Sequence, residues 1–198
     1  MWWNKSKEEK FWEWFGTKAD EYYRNLERDA ETVITPELRR ELSKVDPGLT
    51  FELGTTDEKG KHELTISADG IRDRVPLVKR LVEKAPVFEH WNIIAFRQRH
   101  EGLVVNFGDA KIGPDDIFFE VVEDGKDTVG IDVFVKGYDG SEPMMGAVFI
   151  NIDCMLGEHD AMTRIGSLEI KPLPEEDRSR LKPIKELVAV VDAKKHYA

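Results

Sequence analysis

The sequence predicts an α+β protein, with a mostly antiparallel sheet drawn from two ββαβ units and helices at both chain ends packed on it. Three observations predict this. Apolar residues recur at helical spacing near both ends of the chain, and both halves read strand, turn, strand, helix, strand. Short landmarks also recur at similar offsets: Phe51-Glu52 and Phe119-Glu120, Asp69-Gly70 and Asp139-Gly140, Glu89-His90 and Glu158-His159. The expected organisation is an aromatic helix over 1–30 followed by one domain over 31–198. Its halves span about 49–100 and 117–172, a candidate internal pseudo-repeat.

Ser6 and Glu9 have the spacing of a capping box, in which each side chain satisfies the other's backbone N–H at a helix start. Phe11, Phe15, Ala19, Tyr22 and Leu26 then share one helical stripe, widened by Trp12 and Tyr23, while Trp14 lies off it. Thr35 is the expected cap of a second helix, with Pro36 at its first position and a stop near Asp46-Pro47-Gly48. Two short strands, "LTFEL" and "HELTIS", flank the polar loop "GTTDEKGK". A helix over "PLVKRLVEKA" puts Leu77, Val78, Leu81, Val82 and Ala85 on one face, and the strand "WNIIAFRQ" follows. In the second half, "LVVNFGD" leads into the loop "AKIGPDD". "IFFEVV" and "TVGIDVFVK" form a hairpin across "EDGKD". A helix after Pro143 turns Met144, Val148, Ile152 and Met155 inward and closes at Gly157. "TRIGSLEIKPL" alternates as a strand, and "KPIKELVAVVDA" is the closing helix.

The blocks "LTISADG", "KAP", "WNIIAFRQR" and "MLGEHD" resemble those of an uncharacterised group of small bacterial proteins, over roughly Leu42 to Val191. The resemblance implies a bacterial cytoplasmic origin and supports treating the two halves as one unit. It brings no activity and no functional residue.

Lys plus Arg is 29 and Asp plus Glu is 39, a formal net charge of −10, which repels phosphate backbones and anionic lipid surfaces. Nucleic acid and membrane are therefore not expected as partners. The longest apolar run, Met144 to Ile150, is far too short to cross a bilayer. The N-terminus lacks the apolar core and small-residue cleavage site of a secretory signal. Cys154 is the one cysteine, so no intrachain disulfide forms, in keeping with a reducing, cytoplasmic setting.

The strand "WNIIAFRQRH" ends in cations. Alternation puts Arg97 and Arg99 on one face and His100 on the other. Two arginines so placed suit a carboxylate or phosphate, and they equally suit pairing with neighbouring Asp or Glu. The segment "DCMLGEHD" supplies Asp153, Cys154, Glu158, His159 and Asp160. It reads either as a proton-transfer cluster or as a polar turn after a helix. Arg97, Arg99, His100, Glu158 and His159 are thus the candidate ligand-binding residues, with no catalytic or metal-ligating residue assigned and no cofactor expected. No phosphate loop, dinucleotide turn, nucleophile elbow or calcium-loop spacing occurs.

Eight of the 19 aromatics fall in the first 23 residues. That concentration suits firm docking of the first helix. It also makes Trp2, Trp3 and Trp14 candidate interface residues, with a homodimer as one outcome. The sequence favours a non-enzymatic, acidic binding or regulatory protein that contacts another protein, a basic one by charge. The alternative is a small-molecule binder or enzyme for an anionic ligand, with Arg97 and Arg99 as clamp and Glu158 or His159 as acid and base.

Overall fold

The structure is a computed structural model and describes residues 5–54, 58, 60–100 and 102–194. The chain divides into two compact units, Met1–Arg97 and Gln98–Ala198.

In the first unit, helix α1 (Lys7–Asp29) opens on the expected capping box. The Ser6 hydroxyl accepts from the Glu9 N–H at 3.2 Å, and the Ser6 N–H donates to the Glu9 carboxylate at 2.7 Å. Phe11, Trp12, Phe15, Ala19, Tyr22 and Leu26 are buried along its inner stripe. The chain does not break before α2 (Thr35–Val45), because a π-helical turn over Ala30–Ile34 carries one helix into the next. Thr35 therefore has helical φ and ψ and makes no side-chain cap, contrary to the sequence reading. The wider π turn keeps Ile34, Leu38, Leu42 and Val45 buried.

Strands β1 (Thr50–Gly54) and β2 (His62–Ser67) pair antiparallel, and β3 (Trp91–Ala95) joins β2 in parallel after helix α3 (Val75–Glu83). β2 is the central strand, and Leu64, Thr65, Ile66 and Ser67 are all buried. Two indole N–H groups tie the helices in: Trp12 donates to the Leu81 carbonyl at 2.7 Å and Trp91 to the Ala19 carbonyl at 2.9 Å. A buried indole needs such an acceptor.

The second unit begins with a small hairpin, β4 (Val105–Phe107) and β5 (Ala110–Ile112), in a stretch read from sequence as a strand followed by a loop. The main sheet follows. β6 (Ile117–Asp124) pairs antiparallel with β7 (Val129–Val135), and β8 (Ile165–Pro172) pairs parallel with β7 after helices α4 (Glu142–Leu156) and α5 (Glu158–Arg164). A two-residue strand, β9 (Lys182–Pro183), lines the outer edge of β6, so the closing helix starts later than expected, as α6 (Leu187–Lys194). Proline has no N–H to donate and suits such an edge. Phe119, Ile131, Val133, Val148, Ile152, Leu187 and Val191 belong to one buried cluster under this sheet.

The protein is thus a mixed helix-and-sheet chain rich in antiparallel pairs. The strands form three sheets among the described residues, ordered β1-β2-β3, β4-β5 and β8-β7-β6-β9, where the sequence reading had one. Phe51-Glu52 lies in β1 and Phe119-Glu120 in β6, the first strands of the runs β1-β2-α3-β3 and β6-β7-α4-α5-β8. Gly70 and Gly140 follow the second strands with φ of 72° and 76°. Glu89-His90 precedes a strand, whereas Glu158-His159 opens a helix.

Candidate functional site

The cations at the end of β3 are divided by a local twist of the backbone. The strand stops at Ala95 because Phe96 adopts φ of 66°, a left-handed conformation that a bulky residue keeps only when its surroundings impose it. The surroundings are burial, with Phe96 5% exposed, and a 2.8 Å bond from its N–H to the Ile66 carbonyl. Alternation ends there, so the reading that set Arg97 and Arg99 on one strand face does not survive. Arg97 belongs to the first unit, its Nη1 3.7 Å from a Glu52 oxygen and 4.0 Å from an Asp69 oxygen.

Arg99 belongs to the second unit and is held at the C-terminal end of α4. Its Nε donates to the Leu156 carbonyl at 2.8 Å, and Nη1 and Nη2 grip the two Asp192 oxygens at 2.9 and 2.6 Å. Nη2 also donates to Asp160 Oδ2 at 2.9 Å. The next residue continues the pattern, with the His100 N–H donating to the Cys154 carbonyl at 2.6 Å. The last turn of a helix leaves carbonyls unpaired and carries partial negative charge, so a guanidinium and an amide are what this end accepts. Hydrogen bonding to Asp192 raises the Arg99 pKa, outweighing the opposing effect of burial, and keeps the group charged.

Gly157, at φ of 76°, ends α4, but the chain turns straight into α5. Glu158, His159 and Asp160 are therefore the first turn of a helix, not the polar turn that their composition suggests. Carboxylates are favoured at such a start. Glu158 is fully buried, and His159 Nδ1 lies 3.4 Å from Asp160 Oδ1. Arg99, His100, Glu158 and His159 thus fall at the junction of α4 and α5, with Asp192 of α6 joining through Arg99. Asp192 was missed by the sequence reading, since nothing marks a partner 93 positions from Arg99.

A cleft of about 420 Å³ in the second unit is lined by Gly102, Val104, Lys111, Gly113, Pro114, Asp115, Asp116 and Lys185. Arg99 and His159 are not among its walls, and its Lys185 is paired with Asp115 at 2.7 Å. Among the described residues, no group of three His, Cys, Asp or Glu side chains is placed to hold a metal ion.

In the first unit, Tyr23 stacks on His90 with centroids 4.2 Å apart and lies 5.2 Å from His62, which in turn lies 5.6 Å from Trp91. Trp14 is half-buried, its ring 5.8, 6.5 and 6.2 Å from those of Phe11, Phe15 and Tyr22. Trp2 and Trp3 lie outside the described residues. Charge is unevenly shared. Residues 1–97 carry 17 basic and 19 acidic side chains, whereas 98–198 carry 12 and 20, so eight of the ten excess negative charges fall in the second unit.

No protein-family model, no curated protein and no solved structure matches this chain. Among the described residues, no helix is long and apolar enough to cross a membrane.

Proposed function

We propose that this chain is a non-enzymatic, acidic binding or regulatory protein of the bacterial cytoplasm that acts by contact with another protein, one of basic character. The observation that carries the reading is the fate of the arginines. Arg99, the best placed of the candidate anion-binding groups, is gripped by Asp192 and Asp160 and by a helix-end carbonyl. A guanidinium so engaged is a fastener, and an anionic ligand would have to displace two carboxylates. The surplus of acid in residues 98–198 supplies the complementary field for a basic partner.

The alternative reading, an anionic small molecule handled by Arg99 with His159 or Glu158 as acid and base, is favoured by one observation: these groups do gather at one helix junction. Thermal melting with a panel of phosphates, nucleotides, organic anions and divalent metals separates the two, because a ligand of the folded state raises the melting point. No compound is expected to raise it. A rise that Arg99→Met abolishes would establish the alternative and end the protein-contact reading.

The two ββαβ runs are proposed to descend from one duplicated unit, related to the bacterial group whose sequence blocks this chain resembles. Shared strand order and the placement of the Phe-Glu and Asp-Gly landmarks support this. A Cα superposition of the strand triplets that leaves α3 and α4 on opposite faces would remove it. Self-association through Trp2, Trp3 and Trp14 is a separate proposal, and a monomeric mass by light scattering would end it.

A further inference from the structure

We infer that the outer face of α4, together with the β4–β5 hairpin lying on it, is the docking surface of this chain, and that its occupant is a basic amphipathic helix of a partner protein. The inference rests on the protein-contact reading above and names its site. Helix α4 buries Ala147, Val148, Asn151, Ile152 and Met155, and the Asn151 amide fixes it to the hairpin by a 3.2 Å bond to the Ile112 carbonyl. The opposite side of the same helix is where apolar side chains would be least expected. Yet Phe149 and Ile150 stand there 52% and 37% exposed.

The hairpin extends that apolar stripe. Phe107 lays its ring over Gly146, so closely that a Cβ there would meet ring atoms at 2.6 Å, and Phe107 is itself 45% exposed. Gly146 is three and four positions before Phe149 and Ile150, so helical spacing puts the Phe107 ring on the same side of α4 as both. Scattered exposed apolar residues are ordinary on proteins, but a contiguous row of this kind marks a contact site. A helical partner presents matching apolar groups at three- and four-residue spacing and leaves its other faces free for charge.

Charge selects the partner. Exposed acids rim the stripe: Asp109 in the hairpin turn, and Asp139 and Glu142 at the start of α4. Lys111 is paired with Asn106 in the ladder, and strand alternation turns it to the face opposite Phe107. A second copy of this chain would bring like charge against like, whereas lysines and arginines flanking an apolar stripe would meet the acids.

The test uses the intact chain and a fluorescein-labelled Leu/Lys amphipathic helix of about 15 residues, long enough to hold helical form on docking. A scrambled peptide of equal composition and a Leu/Glu helix serve as comparisons. Binding of the Leu/Lys helix, read by fluorescence anisotropy, is expected to weaken at least tenfold in Phe149→Ser and in Ile150→Ser. It is expected to weaken several-fold in Glu142→Lys and to stay unchanged in Val122→Ser, an exposed residue on β6. Circular dichroism confirms that each variant is folded. Equal binding by the wild type and both serine variants, or by the scrambled and amphipathic peptides, would overturn this surface while leaving the broader reading standing. Failure of every cationic peptide to bind at any salt concentration would overturn both.

Discussion

Replacing Arg99 by methionine keeps an unbranched apolar stem and removes every donor, so the cost can be worked from the contacts. The bond from Nε to the Leu156 carbonyl is a charged donor at a helix end, of a type that contributes about 1.5–3 kcal/mol. The two-toothed grip on Asp192 is discounted, because that carboxylate is 42% exposed and exposed pairs give about 0–1 kcal/mol. Asp160 is the larger liability. Its side chain is 13% exposed, and losing its guanidinium costs on the order of 1–3 kcal/mol. Neighbouring terms do not add fully, so the second unit is expected to lose about 2–4 kcal/mol. That corresponds to a fall of roughly 10–20 °C in its melting midpoint. The assay can separate the units, because all five tryptophans lie in residues 1–97. Tryptophan fluorescence follows the first unit, and far-ultraviolet circular dichroism follows both. Arg99→Met should lower the midpoint of the dichroism transition. Lys185→Met, which breaks an exposed pair with Asp115, should cost less than about 0.5 kcal/mol. If the two variants melt alike, the Arg99 network is not what holds α4, α5 and α6 together.

The remaining expectations concern pH, a helix cap and a core. Tyr22 is buried and donates to Glu37 at 2.5 Å, and burial, followed by that bond, raises its pKa above the usual phenol value. A raised folded pKa means that the stabilisation is complete below about pH 10 and is lost as pH rises further. Wild type should therefore lose up to about 1.4 kcal/mol per pH unit there relative to Tyr22→Phe, in fluorescence-detected denaturation between pH 9 and 11. Ser6→Ala removes the cap of α1 and should cost about 1 kcal/mol in the same assay. Phe119→Ala leaves a hole beneath the second sheet, where the ring is fully buried. A loss of about 3–5 kcal/mol, seen by dichroism, is expected.

What the sequence disclosed followed the reach of each signal. Short-range signals read correctly: the Ser6–Glu9 box, the aromatic stripe of α1, and the hairpin around "EDGKD" all depend on neighbours within a few positions. The π turn at Ala30–Ile34 left no mark, because Thr35-Pro36 is an acceptable helix start by composition and only packing shows that the helix never stopped. Phe96 hid the end of β3 for a related reason. A phenylalanine extends an apolar alternation on paper, and its positive φ is imposed by burial and by the bond to Ile66. The candidate cluster was half visible. Arg99, Glu158 and His159 stood out as polar residues at the ends of apolar segments, but their meeting depends on α5 and on Asp192, which are set by tertiary packing. Phe107, Phe149 and Ile150 were invisible as a surface, since each is an ordinary apolar letter in a segment that reads as core.

Native mass spectrometry of the intact chain, purified gently from the cell that makes it, tests the central claim most directly. The expected species is this chain joined to one basic protein in fixed proportion, coming apart as ionic strength rises. A chain that instead carries a small anion, released by Arg99→Met, would contradict the account.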